Sequence, residues 1–236
     1  MIRTGWAYLN AILATLFFGG IAIGASVLRV RGRIYFWATQ QWSRAILWAS
    51  HVPVFTHGME HVDWRAPQVL VANHTSAFDI LALSSVLPGP FAFVAKKELE
   101  RIPFFGVAWK AAEHISIDRS DRQAAMQSLR RAGEKIRREH STVIIFPEGT
   151  RSRTGELQPF KKGAFMLAIE ARVSVVPVLI RGSDAIMPAN SRRLRPRPVD
   201  LYFSAPLEPG DFAGADEFME AVQARMRQLI ASTAEP

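Results

Sequence analysis

Residues 69–87 read VLVANHTSAFDILALSSVL, and this stretch decides the fold. Its first four residues are apolar, as expected of a buried strand. From residue 77 onward it is again mostly apolar and long enough for a helix that packs against that strand. Asn73 and His74 fall between the two runs, so the sequence places a polar pair where a strand ends and a helix is about to begin.

The same alternation of short apolar runs and helical patterns continues along the chain. Strands that are apolar throughout suit a sheet covered on both faces, and strand–helix–strand order favours parallel neighbours. We therefore expect an α/β domain with a largely parallel mixed sheet flanked by helices. Pro177 lies inside the fourth strand and predicts an edge strand or a bulge, because proline cannot donate to a ladder. The predicted strands are 69–72, 91–95, 142–146, 173–180 and 199–203, and the predicted helices are 77–87, 121–139, 163–171 and 215–230.

The composition narrows the classes of function. The 236 residues include no cysteine, which excludes disulfides and thiolate metal sites, and the formal net charge is +8. A basic surface suits nucleic acid, anionic membranes or phosphate-bearing substrates. The sequence has neither zinc-finger spacing nor a ribonucleoprotein motif, so nucleic acid is not an expected partner. Residues 191–198, SRRLRPRP, fit a solvated loop as well as a segment that contacts lipid headgroups or substrate.

The N-terminal fifth of the chain predicts attachment to a membrane. Residues 5–28 carry no charge, and as a helix they would extend roughly 36 Å against a hydrocarbon core of about 30 Å. Residues 34–50 contain three tryptophans, which favour the headgroup level, although the same pattern fits a packing helix. We expect residues 1–50 to form a two-helix anchor and residues 51–236 to form the α/β domain. Whether the first helix crosses the bilayer or enters one leaflet stays open.

The charges that flank the apolar segment predict its orientation. Arg29, Arg31 and Arg33 follow the segment, and positive residues stay cytoplasmic. A cleaved signal peptide is the alternative, but the apolar run is longer than a usual signal core and only Arg3 precedes it. The expected location is the inner (cytoplasmic) membrane, with the domain facing the cytoplasm and its basic face drawn to an anionic membrane surface.

His74 and Asp79 are the first residues that point to chemistry. Ligands of such sheets collect beyond the carboxyl ends of the strands, where His74 is expected. Ser76 and Asp79 fit a capping box at the start of the next helix, which is a purely structural alternative. The two roles are compatible, because Asp79 could accept the Nδ1 proton of His74 and leave Nε2 as a base. Such a pair can take a proton from an alcohol during acyl transfer.

The nucleophile and the oxyanion donors follow from what surrounds this pair. The sequence has no G-x-S-x-G segment that would supply a serine nucleophile. The attacking hydroxyl is therefore expected to belong to the substrate, with direct attack on the acyl donor. Backbone amides at the start of the predicted helix 77–87 are the expected donors to the developing oxyanion.

A second polar turn is predicted at the same rim by residues 142–153, TVIIFPEGTRSR. Pro147 ends the strand, Gly149 permits a backbone shape that other residues resist, and Arg151 offers a planar fork suited to phosphate oxygens. Taken alone, a turn with a surface arginine is the simpler interpretation.

Several short blocks nevertheless occur together and in order. They are NHTSAFD at 73–79, AKKEL at 95–99, IPFFG at 102–106, ISIDR at 115–119, FPEGTR at 146–151 and VVPV at 175–178. Their pattern resembles the glycerolipid acyltransferase family, most closely its bacterial 1-acylglycerol-3-phosphate acyltransferases. The resemblance covers roughly residues 69–182 and a similar hydrophobic N-terminal module. It implies that an acyl group moves from acyl-CoA or acyl-carrier protein to the sn-2 hydroxyl of lysophosphatidic acid, giving phosphatidic acid without a cofactor or a metal.

The resemblance also implies roles for individual residues. His74 would be the base and Asp79 its orienting partner. Arg151 would bind the phosphate of the acceptor. The implied acceptor-binding residues are Lys96, or Lys97 in its place, together with Glu148, Gly149, Thr150 and Arg151, and Arg119 of the ISIDR block is a further candidate.

Two alternatives stay open. The same chemistry could act on another lysolipid, such as lyso-ornithine lipid or a lysophospholipid with a headgroup. A non-catalytic membrane protein that binds lysolipid without turnover is the other. Ile115 and Ser116 stand where relatives often carry an aromatic or bulkier residue, which leaves the shape of the acyl pocket open. Acyl-chain length, the choice between the two donors and the oligomeric state are not predicted.

Overall fold

The computed structural model describes residues 2–30, 32–118, 122–187 and 193–233, with Arg119 and residues 191 and 192 of the basic segment outside these ranges. The helices are α1 Ile2–Val27, α2 Ile34–Ala49, α3 Phe78–Val86, α4 Phe105–Ala111, α5 Arg122–Glu139, α6 Gly163–Ala171, α7 Ser183–Ile186 and α8 Ala215–Thr233. The strands are β1 Val54–His57, β2 Gln68–Ala72, β3 Phe91–Lys96, β4 Ile115–Ile117, β5 Thr142–Ile145, β6 Ser174–Arg181 and β7 Val199–Phe203.

The seven strands form one sheet in the order β1-β7-β6-β2-β5-β3-β4. Neighbouring strands are parallel except for β6 and β7, which are antiparallel. The prediction of a largely parallel mixed α/β sheet with an N-terminal apolar helix is therefore confirmed. Because β2, β5 and β3 are parallel neighbours, the loops that follow them meet at one edge of the sheet.

Helices cover both faces of the sheet, as the apolar strands predict. On β2, Leu70 and Ala72 pack in a cluster with residues of α2 and α3, whereas Val69 and Val71 pack in a second cluster with α5, α6 and α8. All five residues of β2 are buried. The side chains of Val69, Leu70 and Val71 each contribute about 1.5–3 kcal/mol through removal of apolar surface from water. This double coverage fixes β2, and with it the position of the loop that carries His74.

Of the two alternatives predicted at Pro177, an edge strand or a bulge, the edge strand is wrong, because β6 lies between β2 and β7. The carbonyl of Pro177 accepts the amide of Ser204, so the proline nitrogen faces the β7 side of the strand. The ladder to β7 ends there: Val178 pairs with Phe203, whereas Val175 bridges to Leu207. Val178 lies three residues after Val175 on β6, whereas Leu207 lies four residues after Phe203 on the opposite segment. The additional residue on that segment is a β-bulge.

Four short elements were not predicted as a strand or a helix. They are β1, β4, α4 and α7, of four, three, seven and four residues. Elements of this length contain too few residues for a hydrophobic period to appear. β1 extends the sheet beside β7, and β4 extends it beside β3.

The N-terminal helices pack on the domain and also expose apolar surface. In α2, the side chains of Gln40 and Arg44 donate to the carbonyls of Leu87 and Ser85, which joins α2 to α3. α1 is long and apolar enough to cross a membrane, with 17% of its most apolar window buried. Its exposed side chains include Trp6, Leu9, Leu13, Leu16 and Phe17. This surface indicates association with a membrane, while the division of the chain at residue 50 stays a prediction.

Candidate active site

His74 and Asp79 form the pair that the sequence predicts. The Nδ1 of His74 lies 2.7 Å from Oδ2 of Asp79, whose side chain is completely buried. Because an ionised carboxylate can only accept, Nδ1 carries the proton and donates it. The other ring nitrogen, Nε2, then keeps its lone pair in the neutral imidazole. The His74 side chain is 16% exposed, so part of the imidazole reaches the protein surface.

Aromatic packing fixes the plane of the imidazole. The ring of His74 stacks on Phe146, with centroids 4.1 Å apart and planes inclined by 18°. Phe146 in turn lies parallel to Phe93 at 6.3 Å. The residue before His74 is also fixed: the side-chain amide of Asn73 pairs with both backbone groups of Ile180 on β6, at 2.7 and 2.9 Å. The base is therefore held by its ring, its hydrogen bond and the adjoining backbone.

The capping box forms only in its carboxylate half. Oδ2 of Asp79 accepts the amides of Thr75 and Ser76 at 2.7 and 2.8 Å, while the hydroxyl of Ser76 reaches the amide of Phe78 at 3.3 Å instead of that of Asp79. Oδ2 of Asp79 thus both orients the imidazole of His74 and caps the N-terminus of α3. Its partner oxygen Oδ1 is buried without a hydrogen bond within the described ranges.

This arrangement limits the predicted oxyanion donors. The amides of Thr75 and Ser76 already donate to Asp79, and each can make one strong hydrogen bond. These two amides are therefore not available to a developing oxyanion. The amides of Phe78 and Asp79 donate to the hydroxyl and the carbonyl of Ser76, each at 3.3 Å. Within the described ranges, this leaves the amide of Ala77, which lines the apolar cavity described below, as the candidate donor at the start of α3.

The second motif holds the backbone of His74 from both sides. Oε1 of Glu148 accepts the amide of His74 at 2.9 Å, and the amide of Ser152 donates to the carbonyl of His74 at 2.8 Å. Oε2 of Glu148 accepts the amide of Gln158 at 3.3 Å. Burial raises the pKa of Glu148, and the hydrogen bonds from the two amides offset part of that rise. Glu148, predicted to bind the acceptor, is here turned toward the protein backbone.

The other residues of this turn are placed differently. Gly149 is buried and has φ of +78°, in the left-handed region that favours glycine. Thr150 and Arg151 are exposed on the same turn. They follow β5, the strand beside β2, so they lie at the same edge of the sheet as His74.

Lys96 and Lys97 lie at the end of β3, the strand on the other side of β5. Alternation along β3 puts Lys96 on the face of Val94, opposite the face that carries Phe146. Lys97 forms a long ion pair with Asp118, at 3.7 Å. Lys96 is exposed. Arg119 lies outside the described residues, and so does Arg192 of the basic segment, whereas Arg193, Arg195 and Arg197 are exposed.

An apolar cavity of about 490 Å³ lies against the first turn of α3, and its position was not predicted. α1 forms one wall, and the start of α3 forms another with Ala77 and Phe78. His114 also lines it, and burial, with a smaller contribution from Lys135, lowers the pKa of His114 to about 3. The ring of His114 is therefore neutral at physiological pH, and its Nδ1 accepts the amide of Phe93 at 3.3 Å. Such a cavity can hold an apolar chain.

The comparisons with known proteins point in one direction. The family model described as Acyltransferase matches residues 53–181. A 1-acyl-sn-glycerol-3-phosphate acyltransferase of Cocos nucifera is 35% identical over 169 residues, which are 72% of this chain and 54% of that protein. One of Saccharomyces cerevisiae is 37% identical over 125 residues, covering 52% of this chain and 41% of that protein. This chain spans about half the length of these curated relatives.

A solved structure agrees with the sequence comparisons. The crystal structure of the 1-acyl-sn-glycerophosphate (LPA) acyltransferase PlsC from Thermotoga maritima superposes with a TM-score of 0.83 at 28% identity. The alignment covers 100% of this chain and 96% of that one. The similarity therefore includes the N-terminal helices as well as the sheet.

Proposed function

Because this chain belongs to the Acyltransferase family, we propose that it transfers a fatty acyl group from a thioester to the sn-2 hydroxyl of 1-acylglycerol-3-phosphate, giving phosphatidic acid. The observation that carries the proposal is the 2.7 Å bond between His74 and Asp79, which leaves Nε2 as a base at the rim of the sheet. The acceptor is the one for which the relatives of Cocos nucifera and Saccharomyces cerevisiae are named.

The reaction requires one proton to move twice. Nε2 of His74 takes the proton of the acceptor hydroxyl as its oxygen attacks the thioester carbonyl carbon. Asp79 stabilises the imidazolium that forms. The tetrahedral intermediate then collapses, the carbon–sulfur bond breaks, and the proton passes from Nε2 to the departing thiolate. The products are the ester and a thiol, and His74 returns to its starting state.

The acceptor phosphate is held by cationic side chains. Arg151 and Lys96 are both exposed, at the ends of adjacent strands. A phosphate monoester carries up to about two negative charges near neutral pH, and charge-assisted hydrogen bonds to it are short and strong. Arg151 accounts for a preference for a bare phosphate over a larger headgroup. The thioester is acyl-CoA or acyl-carrier protein, and its acyl chain occupies the apolar cavity.

α1 lies in one leaflet of the membrane instead of crossing it. Contacts to the rest of the protein run from Thr4, which accepts the amide of Leu194, through Thr15, which accepts the indole of Trp42, to Gly19, which lies against the ring of Phe104. These contacts span roughly 22 Å of helix. A helix held lengthwise in this way cannot stand upright in the bilayer while the domain stays in water. The domain faces the cytoplasm, where its basic surface meets anionic lipid.

The absence of native cysteine makes this topology testable. Arg3→Cys and Arg29→Cys place single thiols at the two ends of α1. In sealed inside-out vesicles, a membrane-impermeant maleimide should label both positions from the cytoplasmic side. Labelling of the two positions from opposite sides would mean that α1 spans the bilayer.

The acyl transfer itself is tested with purified protein and radiolabelled 1-acylglycerol-3-phosphate. Each acyl donor is added separately, and products are separated by chromatography. We expect labelled phosphatidic acid with at least one donor, and loss of activity when the phosphate is masked. Transfer only to a lysolipid that carries a headgroup or an ornithine would reassign the acceptor, and binding without turnover would contradict an enzymatic role.

A further inference from the structure

The lysines of this chain divide into two groups. Of its six lysines, four have a carboxylate partner within 4.0 Å and two, Lys96 and Lys161, have none among the described residues. The four ion pairs are Lys97 with Asp118, Lys110 with Glu100, Lys135 with Glu113 and Glu139, and Lys162 with Asp216. Exposed lysines without a carboxylate partner are common, so position must decide whether these two have a role.

Lys161 lies across the turn of the second motif. Its amide donates to the carbonyl of Pro147 at 2.9 Å. A β-carbon at Gly149 would lie 2.7 Å from Nζ of Lys161 and 2.9 Å from its Cε. Both the backbone and the side chain of Lys161 are thus placed against Pro147 to Gly149, and the ammonium group ends above the glycine.

Lys96 reaches the same turn from the neighbouring strand. Phe93 pairs with Ile144, so Lys96 and Pro147, each three residues further on, lie at the same level of the sheet. Lys96 shares the face of Val94 on β3. One lysine without a carboxylate partner among the described residues therefore lies at the end of β3, and the other lies against the turn that follows β5, the neighbouring strand.

The surroundings of this turn favour an anion. Arg151 is on the turn itself and is exposed. α6 begins at Gly163, two residues after Lys161, and a helix N-terminus carries partial positive charge. The nearby carboxylate of Glu148 is buried and accepts the amides of His74 and Gln158. Positive charge thus gathers at the surface, whereas the negative charge is turned inward.

We propose that Lys161 is a phosphate ligand of the active site, with its ammonium held over Gly149 so that it binds a phosphate monoester together with Arg151. This inference rests on the proposed function. The monoester belongs either to 1-acylglycerol-3-phosphate or to the CoA donor, since both carry one. A β-carbon at position 149 would displace the end of the lysine side chain, and the positive φ of Gly149 independently favours glycine there.

The test compares Lys161→Ala with Lys162→Ala, the adjacent lysine, whose Nζ is 2.7 Å from Asp216 Oδ1. For each purified full-length variant, kcat and both KM values are measured at fixed salt. Loss of a charge-assisted hydrogen bond weakens binding by about 10- to 100-fold. We expect Lys161→Ala to raise the KM for 1-acylglycerol-3-phosphate by this factor with little change in kcat, and Lys162→Ala to match the wild type. Lys161→Arg should recover part of the loss.

The outcomes separate the two phosphate sources. A raised KM for acyl-CoA alone would support the phosphate ligand and assign it to the donor. Unchanged values of both KM, or an equal rise in Lys162→Ala, would overturn the proposal. If the wild type transfers no acyl group at all, partition of 1-acylglycerol-3-phosphate from mixed micelles onto the protein still decides the matter. Loss of that binding in Lys161→Ala supports the ligand role even though the proposed reaction has failed, and equal binding overturns it.

Discussion

Oε1 of Glu148 accepts the backbone amide of His74 at 2.9 Å, across 74 residues of sequence. With the bond from the amide of Ser152 to the carbonyl of His74, this contact holds one peptide segment from both sides. The imidazole that we propose as the base is thus positioned through its main chain by the turn that is also the predicted acceptor site. Changes in that turn should therefore affect the position of the imidazole as well as the binding of the acceptor.

Glu148→Gln should lower kcat more than it raises the KM of the acceptor. The amide keeps the shape of the side chain but replaces one acceptor oxygen with a donor, so only one of the amides of His74 and Gln158 stays satisfied. A buried unsatisfied donor costs about 1–3 kcal/mol. Steady-state kinetics with both substrates measures kcat and the KM of the acceptor separately. An effect confined to the acceptor KM would show that Glu148 binds substrate directly.

The same variant should change the pH dependence of stability. Because burial raises the pKa of Glu148 above 4.5, the folded state binds the proton more tightly than the unfolded state. The stability contributed by the protonated form is present below pH 4.5 and is lost as pH rises through the raised pKa. The free energy of unfolding of the wild type relative to Glu148→Gln should therefore fall between about pH 4 and neutrality. Denaturant melts in detergent across this range provide the measurement.

His74→Ala should lower kcat by about 100- to 10,000-fold, the usual contribution of a general base. A second histidine–aspartate pair on the surface gives a matched control: His57 Nε2 lies 2.8 Å from Asp200 Oδ1. It sits on β1 and β7, which run opposite to β2, so the carboxyl end of β1 points away from the active-site edge. His57→Ala should keep wild-type activity. Similar losses in both variants would indicate a general effect on folding instead of the loss of a base.

Gly149→Ala should reduce activity far more than Gly155→Ala. Both glycines have positive φ, at +78° and +81°, and therefore share a conformational cost of about 1–2 kcal/mol. Only at Gly149 does the new β-carbon meet a neighbour, Lys161, because Gly155 has no atom of the described structure within 4 Å. Thermal melts should show comparable destabilisation, while kcat/KM should fall mainly in Gly149→Ala. Equal kcat/KM values would mean that the placement of Lys161 has no part in turnover.

Acidification should destabilise the protein through His114. Its pKa falls from 6.5 to about 3 on folding, so between these values the unfolded state binds a proton that the folded state does not. The folding equilibrium should then weaken by up to about tenfold per pH unit as pH drops from 6.5 toward 3. His114→Gln removes this contribution, so the free energy of unfolding of the variant should depend less on pH in this range. The same pH dependence of the free energy of unfolding in both proteins would mean that the ring is already protonated, or is exposed, in the folded state.

The sequence predicts the sheet and the pair at its rim because both depend on local patterns. Each long strand is mostly apolar, and His74 and Asp79 lie five residues apart across one strand–helix junction. Neighbouring parallel strands then bring the second motif to the same edge. The strand order itself also decides where Pro177 falls, and no local pattern carries that order.

Other features depend on contacts between residues that are far apart in the sequence, so a local pattern does not predict them. Glu148 looks like a ligand residue in its motif because the amide that it accepts belongs to His74, far away in sequence. His114 belongs to no sequence motif that indicates a function, although it lines the cavity. The cavity itself is a space between α1, α2, α3 and α4, and an apolar residue that lines a space has the same sequence pattern as one that fills a core.

That cavity has a further consequence for how the protein can be altered. Since Ala11, Phe18 and Ala22 of α1 form part of its lining, the segment that attaches the protein to lipid is also a wall of the pocket. Deleting the first thirty residues to obtain a water-soluble fragment would leave the pocket open on one side and unable to enclose a hydrocarbon tail. Conversely, the length of tail that fits can be changed from within the anchor, without altering any residue of the catalytic motifs.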